Sequence, residues 1–201
     1  MFEQVDELVA LHAGAWWVLP ALTALAALDA FVPPLPSESI VIALAAVSAD
    51  TGSPHPVLLA ACAMLGAFTG DNLTYALGRH SPLRAWIARH PRLERTFTRA
   101  AHQLERRGAF AILAARYVPV GRVAVNLTAG AARFPRRRFV GLSALAALTW
   151  ATYSTLIGTL AGRWVGSTPL VGAAVGIVVA LALGFAVDTV LQRVLGTRAP
   201  R

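Results

Sequence analysis

The sequence has no lysine, a single cysteine and few charged residues of any kind. All 18 basic residues among its 201 positions are arginines, and only 14% of the residues are charged, against about 25% in a typical soluble domain. The lone Cys62 excludes a disulfide framework. The scarcity of charge and the mean hydropathy of +0.59 exclude an ordinary soluble protein and indicate one compact membrane domain.

The few charges are mostly positive. A net charge of +8 indicates contact with an anionic surface, and in so apolar a chain this surface is predicted to be anionic membrane lipid rather than nucleic acid. The five histidines show no metal-ligand spacing. We therefore predict no metal, no other cofactor and no nucleic-acid partner.

Long hydrophobic runs dominate the remaining sequence. Four runs approach or exceed the roughly 20 residues that cross a bilayer as a helix, namely residues 13–32, 56–78, 139–162 and 169–191. The apolar parts of residues 33–50 and 108–132 are too short to cross and adjoin proline or glycine, so we expect each to enter the membrane and return. The predicted fold is an all-α polytopic membrane protein with about four transmembrane helices and two opposed re-entrant helical arms, in an inverted-repeat architecture.

Arginine placement predicts the orientation of these segments. Residues 79–107 hold eight arginines among apolar residues at helical spacing, which is typical of basic amphipathic helices in the membrane interface. Residues 133–138 and the tail 192–201 are also basic. Because basic loops stay on the cytoplasmic side, we expect both termini in the cytoplasm. The two arms then enter from opposite faces and meet near the midplane.

Each predicted arm carries charge. Residues 32–38 (VPPLPSE) end in Glu38 and follow Asp29, whereas residues 116–122 (RYVPVGR) begin and end with arginine. An ionisable residue at membrane depth indicates a functional site. We therefore expect the two runs to form one site.

The arginines Arg116 and Arg122 suit a phosphate ligand. A lipid phosphate must hide a charge of about −1.5 to −2 to cross the bilayer, and the planar fork of arginine matches it. A helix that begins near Pro119 and Gly121 would add backbone N–H donors. The alternative is that both arginines only form structural pairs with acidic groups or carbonyls.

The carboxylates of Glu38 and Asp29 cannot bind phosphate while ionised. Removal from water favours the protonated carboxyl, so we interpret them as proton-coupling groups, and we expect protonation of Glu38 to release an arginine for the anion. A permanent ion pair is the alternative. Asp71, within a predicted span, fits equally well as a third acidic group of the site or as a packing partner.

Several short motifs recur in one order along the chain. They comprise Asp29, Pro34, Pro36, Ser37 and Glu38, then Gly70, Asp71, Tyr75, Gly78 and Arg79, then Gly108, and finally Arg116, Tyr117, Pro119, Arg122, Ala129, Gly130 and Phe134. In this order they resemble the DedA family of bacterial membrane proteins, within the wider VTT-domain group, over roughly residues 25–162. One position departs from the family pattern, because Ser37 stands where glycine is usual.

The resemblance implies opposed re-entrant arms and the movement of phospholipid-type molecules between leaflets, undecaprenyl phosphate among them, with dependence on the proton gradient in some members. It assigns the essential acidic pair to Asp29 and Glu38 and the essential arginine pair to Arg116 and Arg122. It also implies a multi-pass protein of the bacterial cytoplasmic membrane. The expected partners are a lipid phosphate and protons.

Three alternatives stay open at this stage. The cargo could instead be phosphatidylethanolamine or another phospholipid. The chain could be an enzyme that acts on lipid phosphates, although no histidine stands beside either arginine as such a phosphatase requires, so we predict no enzyme. It could also be a scaffold without transport. Glycine pairs at residues 158–162 and 172–176 permit close helix packing, either within the chain or in a homo-oligomer.

Overall fold

The computed structural model describes residues 13–31, 37–115 and 119–165, which form seven helices and no strand. The helices are α1 Val18–Leu28, α2 Ser37–Thr51, α3 Pro56–His80, α4 Leu83–Ala88, α5 Pro91–Ala115, α6 Pro119–Ala131 and α7 Arg136–Val165. The predicted all-helical class is therefore confirmed. The expected span at 169–191 and the basic tail at 192–201 lie outside the described residues.

Two described helices, α3 and α7, are long and apolar enough to cross a membrane. They coincide with the predicted spans at 56–78 and 139–162, and α7 begins earlier because it takes in three arginines at residues 136–138. Both helices expose leucines, at Leu58, Leu65, Leu73 and Leu77 of α3 and at Leu145, Leu148, Leu156 and Leu160 of α7. Such apolar surfaces suit lipid contact. The count of four spans stays a prediction.

The first helix is shorter than the hydrophobic run that contains it. α1 has 11 residues, whereas residues 13–32 were expected to form a span of about 20. Pro20 is tolerated because it lies in the first helical turn, where backbone N–H groups lack helical partners. The helix ends at Leu28, and Asp29 caps it.

Small residues set the direction in which α1 packs. Gly66 of α3 lies against the carbonyl of Thr23, and Gly70, one turn later, lies against the carbonyl of Ala27. Contacts that advance together along both helices mean that α1 and α3 run parallel.

The same reasoning fixes α2 against α7. Gly158 lies against the carbonyl of Ile42, and Gly162 lies against that of Ala46, so α2 and α7 are parallel. The sequence left open whether the glycine pair at 158–162 packs helices within the chain or between subunits. In the structure it packs α7 against α2 within one chain. The pair at 172–176 lies outside the described residues.

The helices α3 and α7 run antiparallel. Asn72 donates to Ser143 at 3.1 Å, and Tyr75 stacks on Phe139 with ring centroids 4.4 Å apart. Because α1 runs parallel to α3 and α2 runs parallel to α7, α1 and α2 run antiparallel to each other and form a hairpin.

This first hairpin has both of its ends on one side of the bundle. Gly14, which precedes α1, lies beside Ser53, which follows α2. A Cβ added at Gly14 would lie 3.0 Å from the serine Oγ. The arrangement differs from the expected one, in which residues 13–32 cross the membrane and only 33–50 return. Residues 32–36, which contain three prolines, separate α1 from α2 in the sequence, and Gly66 and Gly70 of α3 let α1 pack closely in the parallel direction.

A second hairpin consists of α5 and α6, which pack against each other. Residues 116–118 separate the two helices in the sequence. α5 continues without a break from Pro91 to Ala115, although the sequence predicted short amphipathic helices that end at residue 107. Gly78 and Gly130 bring α6 against α3 in the opposite direction. The two hairpins consequently enter the bundle from opposite ends.

Candidate functional site

The two hairpins meet at Asp71, in the C-terminal half of α3. This carboxylate is only 3% exposed. Its Oδ1 accepts from Arg122 Nε at 2.7 Å and from Asn126 Nδ2 at 2.8 Å. Because Arg122 and Asn126 are four residues apart on α6, they lie on one face and hold the same oxygen.

All three guanidinium nitrogens of Arg122 donate hydrogen bonds. Besides the bond to Asp71, Nη1 donates to Asp29 Oδ2 at 3.1 Å and Nη2 donates to the Ala67 carbonyl at 3.3 Å. The residue is 7% exposed. One guanidinium therefore joins α6 to both α1 and α3, and we call Asp29, Asp71, Arg122 and Asn126 the Asp71 cluster.

Ser37, the position that departs from the family pattern, takes part in the same network. Its hydroxyl donates to Asp29 Oδ2 at 2.9 Å, and its side chain is buried. The serine thus links the start of α2 to the end of α1 across the connection at residues 32–36. In the sequence, Ser37 is notable only because it stands where glycine is usual, and its role as a hydrogen-bond donor emerges from the fold.

Glu38, the next residue, points to another helix. Tyr153 of α7 donates its hydroxyl to Glu38 Oε1 at 2.8 Å. In the described part of the chain, the carboxylates that hold Arg122 are Asp29 and Asp71. The sequence hypothesis named Glu38 as the group whose protonation releases an arginine, and for Arg122 the geometry instead favours Asp29 and Asp71.

The predicted site residues with proline or glycine, and those near them, fall partly outside the described ranges. Arg116, Tyr117, Pro34 and Pro36 lie outside the described residues. Pro119 begins α6, as expected for proline in a first helical turn. Gly121 is half-buried on the same helix, directly before Arg122.

The remaining predicted residues serve packing near the site. Gly70 lets α1 approach α3. Tyr75, one turn from Asp71, donates to the Phe134 carbonyl at 2.6 Å and accepts from Arg79 at 3.0 Å. These contacts fasten the basic end of α3 to the loop after α6.

Sequence reasoning missed Asn126. The signal for Asn126 was an amide in an apolar helix, one turn after a predicted site arginine. On α7, Ser154 Oγ and Thr155 Oγ1 are buried and have no hydrogen-bond partner among the described residues. They lie next to Tyr153 in the chain.

Comparisons with known proteins agree with these motifs. The profile of the VTT domain matches residues 35–160. Protein DedA of Escherichia coli (strain K12) is 28% identical over 142 residues, which cover 69% of this chain and 63% of DedA. An uncharacterized membrane protein of Mycobacterium tuberculosis (strain ATCC 25618 / H37Rv) is 30% identical over 142 residues, covering 69% of this chain and 61% of that protein.

Inner membrane protein YghB of Escherichia coli (strain K12) is 30% identical over 127 residues, covering 62% of this chain and 57% of YghB. The chain thus matches less than two thirds of the length of these relatives. No solved structure matches it. Because the VTT profile covers more than half of the sequence, with Ser37, Asp71 and Arg122 inside the match, the chain belongs to the DedA family of VTT-domain membrane proteins.

Proposed function

We propose that this protein moves a phosphate-bearing lipid between the leaflets of the bacterial cytoplasmic membrane and that proton uptake accompanies the movement. Undecaprenyl phosphate is the cargo we put first. The observation that carries the proposal is the burial of Arg122 between the carboxylates of Asp29 and Asp71, which joins one helix of each hairpin to α3.

The chemistry of this cluster suits an exchange of anions. A guanidinium binds carboxylate and phosphate with the same forked donors, so a lipid phosphate can replace a carboxylate on Arg122. The displaced carboxylate would then lose the charge of Arg122 in a buried site, which is costly. Protonation removes that cost, and this is why we couple phosphate capture to proton uptake.

The hairpins supply the geometry that transport needs. In the proposal both are re-entrant arms, since irregular backbone at membrane depth must lie in protein or line a wet cavity. The basic end of the bundle, with Arg133 and residues 136–138, faces the cytoplasm. Gly14 then lies at the outer face, opposite to the cytoplasmic N-terminal region expected from the sequence.

The membrane assignment of that end can be tested with a single thiol. Cys62 is the only cysteine, so a Gly14→Cys change in a Cys62→Ala background gives one reporter. We expect a membrane-impermeant maleimide to label it from outside intact cells. Labelling only after the cells are opened would contradict the proposed orientation.

The function itself is tested by leaflet-resolved transport in proteoliposomes. Polyprenyl phosphate is compared with phosphatidylethanolamine and phosphatidylcholine, each with and without a pH gradient. We expect polyprenyl phosphate to move fastest and to respond to the gradient. Faster movement of phosphatidylethanolamine would change the cargo, and no movement of any lipid would refute transport.

Residue-specific controls separate transport from scaffolding. Arg122→Gln should abolish transport because glutamine lacks the charged fork, whereas Arg95→Gln, at an exposed position of α5, should leave the rate unchanged. Equal rates in both variants would favour a scaffold. We also propose that no covalent chemistry occurs, so release of inorganic phosphate from the cargo would point to an enzyme instead.

A further inference from the structure

A second feature of the described chain lies at the basic end, away from the Asp71 cluster. An open groove of about 680 Å³ runs between α5 and α7. Leu104, Phe134 and Leu142 form its apolar floor, and Arg106, Arg137 and Arg138 stand on its rim. We call this the α5–α7 groove.

The rim arginines are available to a ligand. All three are exposed, and none has an ion-pair partner within the part of the chain that the structure describes. Glu105 is the acidic side chain among the described lining residues, and its contact is with His102 at 3.9 Å. The rim therefore carries an excess of positive charge.

Two glycines shape the groove in different ways. Gly108 lies against the ring of Phe134, where a Cβ would come within 2.9 Å of the ring edge, so this glycine seats the phenylalanine in the floor. At Gly141, by contrast, a Cβ would meet nothing within 4 Å. Space at Gly141 is thus open to an occupant.

We propose that the α5–α7 groove is a binding site for an anionic phospholipid. Its phosphate would lie between Arg137 and Arg138, and one acyl chain would lie along the apolar floor. The combination of floor and rim argues for this occupant, because inorganic phosphate would use only the rim and a neutral lipid only the floor. A phosphate near paired arginines gains forked hydrogen bonds as well as charge attraction.

This site is separate from the one that we propose for transport. The Asp71 cluster joins α1, α3 and α6, whereas the groove is open, lies between α5 and α7, and is lined by residues that take no part in that cluster. The inference requires the chain to lie in a membrane, but it does not require that lipid crosses the bilayer. Its success or failure can therefore be read without a transport assay.

The test is lipid binding to the purified full chain by native mass spectrometry, with phosphatidylglycerol and phosphatidylcholine of matched acyl chains. We expect wild type to retain phosphatidylglycerol preferentially. The double change Arg137→Gln and Arg138→Gln should weaken this binding roughly ten- to thirtyfold, given about 1 kcal/mol for each basic residue near an anionic headgroup.

Two matched variants make the result specific to the groove. Arg95→Gln with Arg99→Gln removes the same charge from exposed positions of α5 that do not line the groove, and binding should change less than about threefold. Gly141→Leu keeps every arginine but fills the open space, and it should also weaken phosphatidylglycerol binding. Circular dichroism confirms that each variant remains helical.

Three outcomes would overturn the inference. The first is equal retention of both lipids by wild type. The second is an equal loss in the groove and control arginine variants, which would mean diffuse attraction by the basic end. The third is full competition by millimolar inorganic phosphate together with normal binding in Gly141→Leu, which would leave an anion site without a lipid.

Discussion

Arg122 and the pair Arg137 and Arg138 show two ways in which this chain carries positive charge. The side chain of Arg122 is 9% exposed and is held by two carboxylates and a carbonyl. The other two arginines are exposed at the start of α7 and have no acidic partner among the described residues. The buried Arg122 is thus paired within the protein, whereas the exposed Arg137 and Arg138 can contact water or lipid headgroups.

The physical reason for this difference is solvation. A buried ion loses its hydration and is stable only when other groups replace the lost hydrogen bonds. At an interface, water and headgroups solvate arginine, and its aliphatic stem covers apolar surface. We therefore expect changes in the Asp71 cluster to affect stability strongly and changes in the basic end to affect ligand binding.

The largest effect is expected for Asp71→Ala. This change leaves Arg122 and Asn126 buried without their shared acceptor, so the free energy of unfolding should fall by about 3–5 kcal/mol. Equilibrium unfolding in detergent micelles measures it. Asp71→Asn keeps an oxygen acceptor and should cost less, and an unchanged unfolding midpoint in Asp71→Ala would show that the cluster does not hold the hairpins together.

A smaller loss is expected for Asn126→Ala. The change removes one hydrogen bond to a carboxylate but leaves the charge pair intact, so it should cost about 1.5–3 kcal/mol. The same unfolding measurement applies, and the double variant with Asp71→Ala tests coupling. Strict additivity of the two losses would mean that Asn126 acts independently of Asp71.

Ser37→Ala should have a still smaller effect, of about 1 kcal/mol, because only the hydroxyl bond to Asp29 is lost. Alanine fits the buried position without a new polar group. Ser37→Gly is the informative comparison, since it restores the residue usual in the family. If both variants are as stable as wild type, the Ser37–Asp29 contact contributes nothing to the fold.

The smallest effect belongs to the exposed ion pair between Arg84 and Glu94, whose N···O distance is 2.6 Å. The side chains are 49% and 33% exposed, and such pairs contribute about 0–1 kcal/mol. Arg84→Gln should therefore leave the unfolding midpoint almost unchanged. The small decrease should be larger at low salt, because the ion pair is then less screened. A loss comparable to that of Asp71→Ala would remove the contrast between the two regions.

Much of the architecture was predictable from local sequence. Apolar runs indicated α3 and α7, and the prolines at residues 32–36 predicted the break before α2. The charges of Asp29 and Arg122 also indicated a site on two arms. The helix predictions succeeded because hydropathy and helix breakers are properties of short segments. The functional site on two arms stays a prediction.

Other features could not be predicted because they depend on helix packing. Gly66 and Gly70 let α1 pack closely against α3 in the parallel direction. The sequence had predicted that residues 13–32 and 56–78 run in opposite directions. The packing of α6 against α3 at Gly78 and Gly130 brings Arg122 to Asp71. From sequence, Asp71 was equally a site carboxylate or a packing partner, because nothing in its own segment states which helix it faces.

The sequence by itself determined a helical membrane protein of the DedA family, and it predicted acidic groups on one arm and arginines on the other. Only the tertiary structure decided that Arg122 meets Asp29 and Asp71, while Glu38 bonds to Tyr153. The contacts of Arg122 join residues 93 and 51 positions apart. Contacts over such separations are set by how glycines let the helices approach, and no local pattern of residues specifies that register.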